Sequence, residues 1–245
     1  MLASGVDAPG LGPGVSAVTL SLARRGTVAR HRQVIVHAIA GSSTERRYGG
    51  RTAQQRRQER RERLLEVGLE QFGTAGYAAT TIEGLCAAAS LNARYFYEQF
   101  RSREELLGAV YERHVETVLG EVRAALDAVP APAPQRLESG LRAFVDATLA
   151  DERGARVNYF EMVGVSQKLE DLRRGVLRDY AELIAEEATR MPRVRGEASA
   201  DRRGVAVALV GAIDGLITDW LSDDRTQPQS TIIDTLLAVF GPTVG

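Results

Sequence analysis

GYAATTIEGLCAAASLNARYFYEQFRSREELL, residues 76–107, decides the fold. Thr80-Thr81-Ile82-Glu83 marks a helix start: Thr80 is placed to cap it while Glu83 reaches back, a reciprocal capping box. Ile82, Leu85 and Ala89 then form a short apolar stripe. Ser90-Leu91-Asn92 breaks that helix after little more than two turns, and Asn92 is a good N-cap for a third short helix through Tyr97. A second capping box, Ser102 to Glu105, opens a long helix whose buried stripe is Leu106, Val110, Val115, Val118, Val122 and Leu126.

Upstream, the pattern turns helical from Arg51. Leu64, Val67, Gly68 and Phe72 recur at three- and four-residue spacing, and glycines between Gly73 and Gly76 supply a C-cap. Three helices, the last two separated by a tight turn, followed by a long one, make a helix-turn-helix with its support. One helix braces across the backbone so that the next enters a major groove with its N-terminal residues on base edges. Two short helices crossing steeply need a small, tight core, which Ala87, Ala88 and Ala89 suit.

The rest of the chain excludes several alternatives. Its 245 residues support a sizeable core. Period-two alternation is scarce, so the expected class is all-α. The one cysteine, Cys86, rules out an internal disulfide or a cysteine-rich metal site and reads as a small buried hydrophobe. No metal and no cofactor is expected. Val205 to Ile217 is the longest apolar stretch, carries Asp214 and falls short of the about 20 residues a bilayer needs, so no membrane span is expected. The net charge of −1 hides an asymmetry: residues 1–107 hold 15 Arg/Lys and 10 Asp/Glu, residues 108–245 hold 16 and 22. A basic front and an acidic rear point to the front half as the one that meets a polyanion. Arg46 to Arg63 contains eight arginines against two glutamates, read as a mostly solvated helix face with one or two members near DNA.

Three divisions follow. Residues 1–44 are Gly-, Pro- and Ser-rich and read as a disordered extension, either a start assigned too far upstream or a basic arm for a minor groove. Residues 45–107 form the helix-turn-helix, and residues 108–245 a larger helical domain. Pro130-Ala131-Pro132-Ala133-Pro134 ends the long helix, and further helices are expected at 135–150, 155–166, 168–190, 200–222 and 229–240.

In Gly76-Tyr77, Thr80-Thr81-Ile82, Leu85, Ala89, Leu91, Phe96-Tyr97, Phe100, Ser102-Arg103-Glu104 and Leu106-Leu107, the sequence resembles the tetracycline-repressor (TetR) family of bacterial regulators, strongly over about residues 53–107. Two departures are Ser90, where the turn usually has glycine, and Cys86, where alanine is usual. If the turn needs a positive φ, Ser90 carries strain. The resemblance implies that Asn92, Ala93, Arg94 and Tyr95 begin the recognition helix. Arg94 is the candidate for reading a guanine, Tyr97, Gln99, Arg103 and Thr81 those for phosphates.

The resemblance also implies a homodimer on a near-palindromic double-stranded operator, with a four-helix bundle formed by the helices at 168–190 and 200–222. Gly204, Ala208, Gly211 and Gly215 line one stripe of the latter, suited to close approach of another helix across the dimer or within one subunit. A small-molecule effector, fairly apolar, is expected between the long helix and those after it, with Tyr111, His114, Phe144, Tyr159, Phe160 and Met162 as candidate lining residues that otherwise serve as core. The expected function is a cytoplasmic, ligand-released repressor. An activator of the same fold and a helical partner-binding module without DNA contact are the alternatives. No enzyme is expected, since no nucleophile motif or phosphate-binding loop accompanies His114.

Overall fold

A computed structural model describes residues 52–130, 135–190, 201–223 and 227–244. The extension 1–44, Arg46, Arg47, Arg51 and Ala131 to Pro134 lie outside the described residues. Among those described, every regular element is helical: α1 (Ala53–Thr74), α2 (Ile82–Ala88), α3 (Ala93–Tyr97), α4 (Arg103–Ala128), α5 (Gln135–Leu149), α6 (Glu152–Arg156), a π-helical turn (Val157–Glu161), α7 (Gln167–Thr189), α8 (Arg202–Ser222) and α9 (Ser230–Val244).

Local chemistry sets the ends. Thr52 caps α1 in a reciprocal box with Gln55. Helix α1 stops at Thr74, and Gly76 follows at φ +90°, a conformation that favours glycine. The cap of α2 is Thr81 and not Thr80: the Thr81 hydroxyl accepts the Gly84 N–H at 3.0 Å. Thr80 is buried and donates to the Gly76 carbonyl at 2.8 Å, so its hydroxyl is committed to the preceding turn. Asn92 caps α3 through the Tyr95 N–H, and Ser102 caps α4 through the Glu105 N–H. The Glu105 carboxylate reaches one residue beyond the box, accepting from the Arg101 N–H at 2.7 Å.

The expected stripe of α4 is buried throughout, and the helix serves two cores. Its first turns, through Leu106, Leu107 and Val110, close over Leu64 and Phe72 of α1, Leu85 of α2, and Phe96 and Phe100. Its last turns, Val118, Val122 and Leu126, pack with Ala143, Phe144 and Leu183. A further cluster joins Leu141 and Val145 of α5 to Leu209, Ile213 and Ile217 of α8 and Ile233 and Leu236 of α9. The expected boundary at residue 107 therefore falls inside a continuous helix.

Arg136 ties the far end together. Its guanidinium bonds the Leu126 and Val129 carbonyls at the C-terminal end of α4 and Glu187 of α7 at 2.9 Å. Only 6% of Arg136 is exposed, so the carboxylate partner is essential to its burial.

The segment expected as one helix over 155–166 is instead the short α6 followed by the π-helical turn. Helix α8 is, by length and composition, long and apolar enough to cross a membrane, contrary to the shorter stretch expected. Its Ala206, Leu209, Ile213 and Ile217 are buried among neighbouring helices, and Asp214 pairs with Arg173 of α7 at 2.8 Å. Those contacts bury one face of α8.

Phe96 is fully buried and makes an edge contact to Tyr97 and a tilted one to Phe100. Phe96→Ala is expected to cost about 3–5 kcal/mol, read as a lowered urea midpoint.

Candidate functional site

The turn between α2 and α3 adopts the positive φ that the sequence raised as a condition: Ser90 has φ 52°. Around it Thr81, Asn92, Ala93, Arg94, Tyr95 and Tyr97 are exposed, while Phe96 anchors the helix from below. Arg94 is the most extended of them, with 85% of its side chain exposed and its Nε 3.3 Å from Glu98 Oε1. Thr81 uses an oxygen lone pair for its cap, which leaves its hydroxyl hydrogen free to donate. Tyr97, 57% exposed, projects its ring outward.

Two expected phosphate contacts sit differently. Gln99 is half-buried, and its amide nitrogen is sequestered from solvent without an acceptor. Arg103 is half-buried as well: it donates to the Thr80 carbonyl, and its guanidinium lies 4.2 Å from the Tyr77 ring centre. Both are drawn inward by the packing of the turn before α2 and the end of α3.

The arginines of α1 are not simply solvated. Arg57 donates to the Glu98 carbonyl at 3.1 Å, and Arg63 to the Ala89 carbonyl at 3.4 Å. Arg60 lies over the Tyr95 ring at 4.5 Å, Arg61 over Phe100 at 4.6 Å. These contacts brace both ends of the helix-turn-helix and orient Tyr95. Sequence periodicity missed them because the partners are carbonyls and rings some 26 to 41 residues away.

A cavity of about 970 Å³, counting the space at its open mouth, lies among α4, α5, the π-helical turn, α7 and α8. Tyr111, Phe144 and Tyr159 line it, as the sequence suggested. His114, Phe160 and Met162 do not. Met162 is fully buried in the first core, Phe160 is 39% exposed, and His114 packs on Gly154. Missing from the sequence reading were Leu119, Val122, Leu126, Leu177, Ile184 and Leu209, aliphatic residues with no signature beyond helical spacing. Two ion pairs face the cavity, Arg173–Asp214 and Arg136–Glu187. Burial raises the hydroxyl pKa values of Tyr111, Tyr159 and Tyr180, which therefore stay protonated and able to donate.

On α8, Gly204, Ala208, Gly211 and Gly215 are all exposed. A Cβ at Gly211 or Gly215 would meet nothing within 4 Å, so among the described residues neither glycine serves close packing.

A family model described as "Bacterial regulatory proteins, tetR family" matches residues 64–110. The HTH-type transcriptional activator FasR of Mycolicibacterium smegmatis is 27% identical over 182 residues, covering 73% of this chain and 80% of that protein. Over residues 64–110 the chain carries the helix-turn-helix region of the tetR family of bacterial regulatory proteins. Its similarities are those of a DNA-binding transcriptional regulator. The HTH-type transcriptional repressor DhaR of Mycobacterium sp. (strain GP1) is 25% identical over 124 residues, 51% of this chain and 61% of that protein. Among solved structures, the transcriptional regulator FadR from Bacillus subtilis in complex with stearoyl-CoA shares the fold of this chain. Its TM-score is 0.64 at 15% identity, covering 73% of this chain and 96% of that one.

Two predictions follow from this geometry. Ser90→Gly relieves a left-handed backbone conformation costing about 1–2 kcal/mol, partly offset by the about 0.4–1 kcal/mol that glycine adds to unfolded-chain entropy. The variant is expected to raise the denaturation midpoint slightly, where glycine at most other exposed sites lowers it. His114 gives a pH dependence: burial holds its pKa below the ordinary 6.5, against the opposing pull of Asp151. The folded state resists protonation there, so stability present above pH 6.5 is lost as pH falls towards the lowered folded value. Asp151, held below 3.8 mainly by its hydrogen bond from Arg153, acts only at lower pH. Between pH 7.5 and about 5.5, wild type is expected to lose more urea stability than His114→Gln.

Proposed function

We propose that this chain is a ligand-released repressor that binds a near-palindromic operator as a homodimer in the cytoplasm. The observation that carries the DNA-contact assignment is the exposed row around the Ser90 turn: Arg94 extended into solvent beside Thr81, Asn92, Ala93, Tyr95 and Tyr97, on a helix braced by α1 arginines. Arg94 reads a guanine through its two-pronged guanidinium, swinging from Glu98 to do so. Thr81 and Tyr97 bond phosphates, while Arg103 holds the Thr80 turn in place. Residues 45–107 serve as the reading head and residues 108–245 as the sensing and dimerising body.

The open small-residue face of α8 supports the dimer. Two heads related by a two-fold axis then present recognition helices about 34 Å apart, the spacing of successive major grooves. The relatives' names include an activator and a repressor. Repression fits a linkage in which the ligand favours a head spacing that no longer matches DNA.

The cavity supports an amphipathic ligand with a long apolar portion. Its walls are largely aliphatic, and each cation facing it is already answered by a carboxylate, so the buried part of the ligand is uncharged. An acyl chain fits this description, and the FadR structure with stearoyl-CoA is a precedent in the same fold.

Selection from random duplexes is expected to recover a near-palindrome. Arg94→Ala should bind it more weakly by about 1–3 kcal/mol and lose preference at one base pair in each half-site. Equal selectivity of the two proteins contradicts the Arg94 assignment. Gly211→Leu, where the chain itself leaves open space, is expected to keep its helical spectrum yet sediment as a monomer.

A further inference from the structure

The two ion pairs that face the cavity differ in how fully their arginines are used. Arg136 is saturated: Nε and Nη2 donate to Glu187, and Nη1 donates to the Leu126 and Val129 carbonyls. Arg173 meets Asp214 through Nη2 alone, at 2.8 and 2.9 Å to the two carboxylate oxygens. Its Nε and Nη1 have no acceptor among the described residues. Glu187 and Arg173 stand near opposite ends of α7, about 21 Å apart along its axis, so the open donors lie far from the saturated pair.

Three tyrosines join Arg173 in the cavity wall: Tyr111 of α4, Tyr159 of the π-helical turn and Tyr180 of α7. Each is at least nine-tenths buried, with 1%, 7% and 9% exposed. Among the described residues, none of the three hydroxyls has a hydrogen-bond partner, although a buried tyrosyl O–H ordinarily finds one. The Tyr111 and Tyr159 hydroxyls both feel Tyr180, Arg173 and Asp214, so these groups share one neighbourhood. Phe144 packs edge-on against the Tyr180 ring with centres 5.2 Å apart and holds it in place. Burial keeps all three phenols protonated, so each has a hydrogen to donate.

The result is a donor-rich corner in an otherwise apolar cavity. A plain hydrocarbon chain expels water from that corner and leaves its donors unpaired, which is unfavourable. A carboxylate satisfies them, but it buries a second negative charge beside Asp214, whose answering cation is already engaged. A neutral carbonyl oxygen accepts from the donors and adds no charge. We infer that this corner is an oxygen-recognition subsite: the ligand is an apolar molecule bearing a ketone or ester carbonyl, held by the Tyr111, Tyr159 and Tyr180 hydroxyls beside Arg173. The inference rests on the reading of the cavity as a ligand site, and adds to it the polar group and the place where that group binds.

The test titrates the full chain calorimetrically with 2-undecanone, methyl decanoate, undecane and decanoate, probes of similar length that differ in their oxygens. Wild type is expected to bind the ketone and the ester at least about tenfold more tightly than undecane, and decanoate more weakly than its ester. Tyr111→Phe/Tyr159→Phe/Tyr180→Phe keeps the rings and removes the hydroxyls, and is expected to bind ketone and undecane within about threefold of each other. A merely structural role for the tyrosines would weaken both probes alike and leave that ratio unchanged, which overturns the assignment. Equal affinity of wild type for ketone and undecane overturns the subsite and leaves the apolar ligand site standing. Binding of none of the probes overturns both. Tightest binding by decanoate overturns the neutral carbonyl. If the triple variant does not fold, the single Tyr→Phe variants decide: a lowered ratio in any of them supports the subsite, and an unchanged ratio in all overturns it.

Discussion

Helix α4 belongs to two cores at once, and the rest of the structure depends on that sharing. Leu106, Leu107 and Val110 close the head, and Val118, Val122 and Leu126 close the body. A helix of 26 residues bends as a beam does and offers no hinge between those groups. Head and body therefore cannot drift independently. The contacts of residues 151–161 with α1 and the Tyr77 turn add to that packing.

The head is assembled from weak local preferences that agree with one another. Caps at Thr81, Asn92 and Ser102 each satisfy an exposed amide at the start of a helix. Phe96 and Phe100 pull α3 onto the core, and arginines from α1 bind the carbonyls and rings at its flanks. A five-residue helix has little stability of its own, so this bracing is what gives the exposed row a fixed orientation. The left-handed Ser90 is the one local cost, carried where the two helices must cross steeply.

Much of this was legible in the sequence because capping and apolar spacing are short-range signals. The α4 stripe, the breaks at Gly76 and Ser90, and the limits of α2 and α3 all come from residues within about four positions of one another. The cap at Thr81 was misplaced by one residue because Thr80 and Thr81 offer the same hydroxyl, and only the burial of Thr80 separates them. Gly73 and Gly76 read as helix-ending residues, yet their backbones also make room for Arg153 and Glu161, far along the sequence. Half of the expected cavity lining went astray for a related reason. Aromatic and sulfur side chains draw attention, while half of the lining residues are leucine, valine and isoleucine that periodicity alone cannot separate from core.

The central claim is that body shape sets head position. The most direct measurement is the distance between paired spin labels at Ala79→Cys, an exposed site beside the Tyr77 turn, across the two protomers of a dimer. The account predicts one narrow distance on operator DNA and a shifted or broadened one when the cavity is filled. The same narrow distance in both states would contradict it, as would the absence of any paired signal.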